Sequence, residues 1–144
     1  NTASYLAIIV IVQVDQSSGQ VHVEQAYAAV DAGQVINPDG LRNQIEGGIV
    51  QSISWALHEK VTFNDHEITS RDWASYPILT FSEVPDVSVR ILDRPQEKTL
   101  GAGEAAQGPT VAALANAVFD AAKVRLRQIP FEPHLVKSAM EKED

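Results

Sequence analysis

Two apolar stretches joined by a short polar turn constrain the fold of this chain more than any other feature of its sequence. The first is YLAIIVIVQVDQ, whose β-branched residues predict a buried strand. The turn is SSGQ, in which Gly19 supplies the permissive backbone angles. The second is VHVEQAYAAVDAG, with Val21 and Val23 on one face and His22 on the other. Together they predict an antiparallel β-hairpin.

Apolar residues at helical spacing predict two main helices. The first covers residues 41–61, LRNQIEGGIVQSISWALHEKV, and the second runs from about Pro109 to Arg127. A short helix is expected in the tail, residues 131–144. The first helix carries an apolar stripe made of Leu41, Ile45, Ile49, Ile53 and Leu57.

The segment between the two main helices predicts further β-structure. A short hairpin should turn at Asn64–Asp65, and the alternation in VSVRILDRP predicts a strand over residues 87–95. A chain of 144 residues is long enough to bury one core. We therefore expect residues 1–144 to form a single α+β domain, in which antiparallel strands and hairpins pack with two main amphipathic helices.

Composition excludes several classes of function. The formal net charge is −8 and no run of Lys or Arg forms a basic stripe, which argues against a nucleic-acid partner. The chain has no cysteine, so disulfides and cysteine-ligated iron–sulfur or zinc sites within it are excluded. Its four histidines show no metal-ligand spacing. The longest apolar run, Tyr5–Val12, is too short to span a bilayer.

Glu104 is the strongest candidate for chemistry. It ends the glycine-spaced stretch TLGAGE just before a predicted helix, where unpaired N–H groups and the helix dipole stabilise an anion. Gly103 beside it would allow the backbone to approach a ligand closely. A pinned, ionised and reachable carboxylate suits a general base. The alternatives are an acid that only stabilises the helix dipole, and a glycosidase-like pair with Glu46.

A second candidate surface lies on the first helix. Gln44 and Gln51 are about two turns apart on one face, with Gly47 and Gly48 between them. Amide side chains on a face cleared by glycine could hydrogen-bond a closely approaching ligand. Helix packing through small residues is the alternative. Each glycine inside a helix costs about 1 kcal/mol relative to alanine, so we expect the space that these two leave to be used.

The chain resembles one enzyme family through three segments in the same order. The segments are DAGQVINPDGLRNQIEGGIVQSISWALHEKVTF, YPILTFSEVPDVSV and GAGEAAQGPTVAALANAVFDAA. They are similar to the molybdenum hydroxylases of the xanthine dehydrogenase and aldehyde oxidase family, and above all to the large (beta) subunits of the isoquinoline 1-oxidoreductase type. The resemblance covers about Tyr5 to Pro130 and matches the C-terminal end of a longer subunit.

The resemblance implies roles for individual residues. In that family the glutamate of the final loop is the catalytic base beside molybdenum, and the matching residue is Glu104. A Gln-x-Glu-Gly motif lines the molybdopterin; here it is Gln44, Glu46 and Gly47. Many relatives have proline directly after the glutamate where this chain has Ala105, which would loosen the loop and leave the acid in place. The cofactor-binding residues implied are Gln44, Gly47, Gly48, Gly101 and Gly103.

The resemblance also implies cofactors and a reaction. The complete enzyme would carry molybdenum as molybdopterin cytosine dinucleotide. It would hydroxylate an N-heterocycle, or oxidise an aldehyde, with oxygen from water. Its electrons would leave through iron–sulfur clusters on a small partner subunit, because this chain has no cysteine to hold them.

The same resemblance predicts how the chain is assembled. It would be the C-terminal molybdopterin-binding region of a large subunit and would be completed by the upstream part of that subunit. Alone it would be inactive, and it could self-associate through the surface left bare. The alternative is a non-catalytic interaction domain that keeps the scaffold. The compartment is left open.

Overall fold

The computed structural model describes residues 4–142, which form a three-stranded sheet with two long helices packed on one face. The strands lie in the order β1-β2-β3. The predicted α+β class is confirmed. Within the described range, no helix is both long and apolar enough to cross a membrane. The strands and α-helices are β1 (Tyr5–Val14), β2 (Val21–Asp31), α1 (Pro38–Leu57), β3 (Asp86–Ile91), α2 (Gln107–Ala122) and α3 (Pro133–Met140).

The predicted hairpin is confirmed, and it contains a β-bulge. β1 and β2 pair antiparallel around a turn in which Gly19 has a φ of 78°. The register shifts between Ile11 and Val12, which leaves Glu24 as an extra residue on β2. The buried face of β2 therefore changes phase along the strand, from Val21 and Val23 to Ala26, Ala28 and Val30.

The prediction that β1 is buried is wrong for one of its faces. Val10 is buried, whereas Ile9 is 66% exposed and Tyr5 is 57% exposed. Successive side chains of a strand point to opposite faces, and both main helices lie on the same side of the sheet. The other side is bare and largely apolar. We call it the outer face, formed by Tyr5, Ala7, Ile9, Ile11 and Tyr27.

The third strand corrects the predicted pairing. β3 is shorter than the expected strand over 87–95, and it pairs parallel with β2 rather than antiparallel. α1 carries the chain back along the sheet between the two strands, which is the crossover that a parallel pair requires. The hairpin expected at Asn64–Asp65 is reduced to one bridge between Phe63 and Ile68. That segment is exposed, so no apolar burial supports longer strands.

α1 begins at Pro38, earlier than the predicted Leu41. The Asn37 side chain accepts a hydrogen bond from a backbone N–H of the first turn at 2.9 Å, and a proline follows it. Asparagine at the N-cap and proline at the first helical position are favoured helix starts. The helix ends at Leu57 instead of Val61. The sequence NPDG thus contains the N-cap and the first three residues of the helix.

α2 is also displaced toward the N-terminus. It begins at Gln107 rather than Pro109, and it ends at Ala122 rather than near Arg127. Lys123 has a φ of 59° and its N–H donates to the carbonyl of Phe119 at 2.8 Å, so a left-handed cap ends the helix. The core lies between both helices and the sheet. Its largest fully buried side chains include Val30, Ile45, Ile49, Ile53, Leu114 and Val118.

Candidate functional site

α1 presents two different surfaces. Its apolar stripe packs into the core, where Ile45 and Ile49 are fully buried. Along the flank of the same helix, Gln44, Gly47 and Gln51 are exposed. Residues three and four apart lie one above another on a helix, so these form a continuous strip. The strip faces an open groove rather than the core.

A hydrogen bond joins the two segments that hold the predicted site residues. The Gln44 Nε2 donates to the carbonyl oxygen of Gly103 at 2.7 Å, across 59 residues of sequence. Glu104 follows directly after this carbonyl. The bond uses the amide nitrogen of Gln44 and leaves its oxygen available to a ligand. The helix motif and the loop motif therefore meet at one place in the fold.

The groove beside α1 has a volume of about 730 Å³, and we call it the amide groove. Side-chain amides both donate and accept hydrogen bonds, so the amides that line this groove can bind a ligand that carries both donors and acceptors. Gln107, at the start of α2, also lines the groove. The α1 residues that line it include Asn43, Gln44, Glu46, Gly47, Gly48 and Gln51.

Ile78 and Leu79, in the irregular connection after α1, form another wall of the amide groove. The Leu79 N–H donates to the Ser54 Oγ at 3.0 Å, which attaches this connection to the helix. The Tyr76 hydroxyl donates to Glu59 at 2.8 Å, and this bond raises the pKa of the tyrosine. Sequence reasoning missed this wall because the segment has no periodic apolar pattern.

A second groove, of about 560 Å³, contains Glu104, and we call it the Glu104 groove. Gly101, Gly103 and Pro109 line it, together with Ser4 and other residues at the start of the chain. Glu104 is exposed in the described part of the chain. No hydrogen bond or ion pair within residues 4–142 involves its carboxylate, so nothing in that range holds its oxygens in place.

The glycines of the two grooves differ in what surrounds them. A Cβ added to Gly48 would lie 2.9 Å from the Cβ of Ala106, so this glycine lets the start of α2 pack against α1. A Cβ on Gly47, Gly101 or Gly103 would meet nothing within 4 Å. These three also have no positive φ. Packing among the described residues therefore explains why position 48 is a glycine. It does not explain why positions 47, 101 and 103 are glycines.

Buried polar atoms without a partner also point to the grooves. Within the described range, three such side-chain atoms occur, and two of them belong to groove residues. Ser4 Oγ belongs to the Glu104 groove, and Gln107 Oε1 to the amide groove. Sequence analysis did not single out either residue. Gln107 stands next to the predicted loop, but only the packing of α2 on α1 buries its oxygen.

The structure does not support a glycosidase-like pair. Glu46 lines the amide groove and Glu104 lines the second groove, so the two do not face each other across one cleft.

Among residues 4–142 no group of three or more histidine or carboxylate side chains is arranged to hold a metal. His58 instead lies 3.3 Å from Glu83. Burial acts to raise the pKa of Glu83, but hydrogen bonds from Thr80 and the nearby His58 outweigh it and lower the value.

Comparison with known proteins agrees with the predicted family. Residues 1–85 match the family described as the molybdopterin cofactor-binding domain. The B subunit of nicotinate dehydrogenase from Pseudomonas putida is 41% identical over 138 residues, which is 96% of this chain and 12% of that protein. The beta subunit of isoquinoline 1-oxidoreductase from Brevundimonas diminuta is 31% identical over 134 residues, 93% of this chain and 17% of that protein.

A solved structure shows the same fold. Quinoline 2-oxidoreductase from Pseudomonas putida 86 superposes with a TM-score of 0.84 and 31% sequence identity, over 92% of this chain and 18% of that one. The chain thus spans less than a fifth of each of these relatives. The match to residues 1–85 covers more than half of the 144 residues. This chain belongs to the molybdopterin cofactor-binding domain family, within the molybdenum hydroxylases that its sequence resembles.

Proposed function

We propose that this chain forms part of the molybdenum site of an oxidoreductase that hydroxylates an N-heterocycle with oxygen from water. One observation carries the proposal: the hydrogen bond of 2.7 Å from Gln44 to the carbonyl of Gly103. It joins the helix that offers amides to the loop that offers Glu104. A base can act on a bound cofactor only if the segments that hold the two are close together, and this hydrogen bond brings them together.

The side chains at this junction fit a molybdopterin cofactor. A pterin carries both N–H donors and acceptor nitrogens, and the amides of the groove match both. Gly47, Gly101 and Gly103 leave open space in which a ligand could contact the backbone. Gln44 and these glycines, with Gly48 behind them, would hold the cofactor, which we propose to be the cytosine dinucleotide form. When bound, the cofactor supplies the oxygen transfer and two-electron redox chemistry that side chains lack.

Glu104 is the proposed general base. The oxygen that attacks an electron-poor carbon must lose a proton, and a carboxylate can accept it. Glu104 is exposed in its groove and forms no ion pair with another described residue, so its oxygens are available for that proton. Glu46 is in the other groove and is not assigned this role.

The relatives support a proposal for the substrate class and the partners. The names of the three similar proteins contain nicotinate, isoquinoline and quinoline, which are all N-heterocycles. The 41% identity to a nicotinate dehydrogenase subunit exceeds the 34% identity to a membrane-bound aldehyde dehydrogenase of Gluconacetobacter polyoxogenes, which favours an N-heterocycle over an aldehyde. Electrons would leave through iron–sulfur clusters on a small partner subunit, as the family resemblance implies. The upstream part of the same large subunit would complete the pocket.

Replacement of Glu104 in the complete enzyme tests the base. Glu104→Gln keeps the shape of the side chain but cannot accept the proton, so turnover should fall about 10²–10⁴-fold while molybdenum content stays unchanged. Glu97→Gln, an exposed carboxylate in the preceding loop, is the matched control and should leave both unchanged. Activity of Glu104→Gln within a few-fold of wild type would exclude the role.

A second measurement separates this proposal from its alternatives. The complete enzyme should transfer ¹⁸O from labelled water into an N-heterocycle such as nicotinate or quinoline, faster than it oxidises an aldehyde. A preference for aldehydes would correct the substrate class. A complete protein that contains no molybdenum and oxidises neither substrate would instead indicate the non-catalytic interaction domain.

A further inference from the structure

Gln107 has a side-chain oxygen that the described chain buries and leaves without a partner. Its Oε1 has no hydrogen bond within residues 4–142, although it is shielded from solvent. A buried acceptor without a donor is destabilising, because it has lost water and gained nothing in return. The atom lies just behind the surface of the amide groove, so a donor from outside the described chain can satisfy it once the side chain turns toward the groove.

The position of Gln107 is fixed by tight packing. Ala106 precedes it, is 1% exposed and packs against Gly48, where an added Cβ would lie only 2.9 Å from the alanine Cβ. Gln107 is then the first residue of α2. Its amide nitrogen lies 3.9 Å from the same point above Gly48. The close contact between α1 and the start of α2 thus holds the backbone of Gln107 beside the amide groove.

The rest of this groove suits a heterocycle with N–H groups. The Gln44 amide stands at the same groove with its nitrogen bonded to Gly103, and Gly47 leaves open space beside it. We propose that Gln107 is a further binding residue for the molybdopterin cofactor, whose pterin N–H groups donate to its Oε1. This inference rests on the proposed function, and it adds a contact on α2 to those on α1 and the loop.

The test compares two variants of the complete enzyme, purified with its partner subunits. Gln107→Met removes both polar atoms at similar size, and Gln128→Met makes the same change at an exposed position outside the two grooves. Molybdenum and oxidised, fluorescent pterin are measured per protein during prolonged dialysis. Loss of one hydrogen bond from a buried site should make Gln107→Met release the pterin roughly tenfold faster than wild type, whereas Gln128→Met should match wild type.

Thermal unfolding of the cofactor-free protein provides the second readout. If the cofactor donates to Oε1, the cofactor-free Gln107→Met protein should be at least as stable as cofactor-free wild type, because no polar atom remains stranded. Equal destabilisation of cofactor-free and loaded protein would show that another part of the polypeptide satisfies the oxygen, and would overturn the inference. Unchanged pterin release would also overturn it. Absence of molybdenum from the wild-type enzyme would refute the proposed function itself, which distinguishes the two failures.

Discussion

The two faces of the sheet have similar sequences and different surroundings. On β1, Ile8 packs against the core cluster, whereas its neighbour Ile9 is 66% exposed on the outer face. Tyr27, paired with Ile9 on β2, is 43% exposed. The apolar pattern of β1 runs through both faces, but the described helices cover only one of them. Burial on the inner face is explained within this chain, and the outer face has the exposed apolar surface typical of an interface.

The two neighbouring glycines of α1 repeat this contrast at the candidate site. Gly48 is buried and meets Ala106, so its small size serves packing inside the chain. Gly47 is exposed and faces open space. A glycine in a helix costs about 1 kcal/mol relative to alanine whether or not it has a neighbour. Within the described part of the chain, packing against a neighbour offsets that cost at Gly48 only. Gly47 is therefore the better indicator of a ligand or partner from outside this part.

The largest expected effect is the difference between the two faces of β1. Ile8→Ala should lower the free energy of unfolding of the 144-residue chain by about 2 kcal/mol, because it removes partly buried methyl and methylene groups that pack against the core. Ile9→Ala should cost less than about 1 kcal/mol, since only β-propensity is lost. Both variants lose the same side chain on the same strand. The difference between their free energies of unfolding, measured in urea, therefore reports how much more Ile8 is buried than Ile9. Equal costs would show that the outer face is covered, for instance by self-association.

Made in the complete large subunit, the same pair tests whether the upstream part of that subunit covers the outer face. There the cost of Ile9→Ala should rise toward that of Ile8→Ala, because the proposed upstream part would cover the outer face. Retention of the full difference would mean that this face stays bare.

The adjacent glycines should respond with opposite signs. Gly48→Ala should destabilise the chain by about 1–2 kcal/mol, because the new methyl group would overlap Ala106 and force α1 and α2 apart. Gly47→Ala should stabilise it by up to about 1 kcal/mol, because helix propensity improves and nothing is displaced. Chemical denaturation of both variants measures the difference. In the complete enzyme, Gly47→Ala should reduce molybdenum content; unchanged content there would remove Gly47 from the proposed site.

The smallest effect is expected at the hairpin turn, which belongs to neither face. A hydrogen bond from the Ser17 side chain, with others from Ser18 and the backbone, lowers the pKa of Asp15 to about 2. Because the folded pKa lies below the unfolded one, the turn contributes stability above about pH 4, and this is lost as the pH falls toward 2. Ser17→Ala should raise the titration midpoint of Asp15, measured by NMR. An unchanged midpoint would assign the shift to the backbone bonds.

The sequence by itself determined the elements whose signals are local. The Gly19 turn between two β-branched runs predicted the hairpin, and the four-residue spacing of Ile45, Ile49 and Ile53 predicted the buried stripe of α1. These patterns follow from strand and helix periodicity, which depend on neighbours along the chain. The family resemblance, carried by three ordered segments, also came from sequence and is confirmed.

Only the tertiary structure decided which surfaces meet. The parallel pairing of β3, the bare outer face and the contact of Gly48 with Ala106 depend on where α1 and α2 pack on the sheet. The same packing brings Gln44 to Gly103 across 59 residues and buries the oxygen of Gln107. Local periodicity carries no information about such contacts, because each is fixed by the closure of long loops around a shared core.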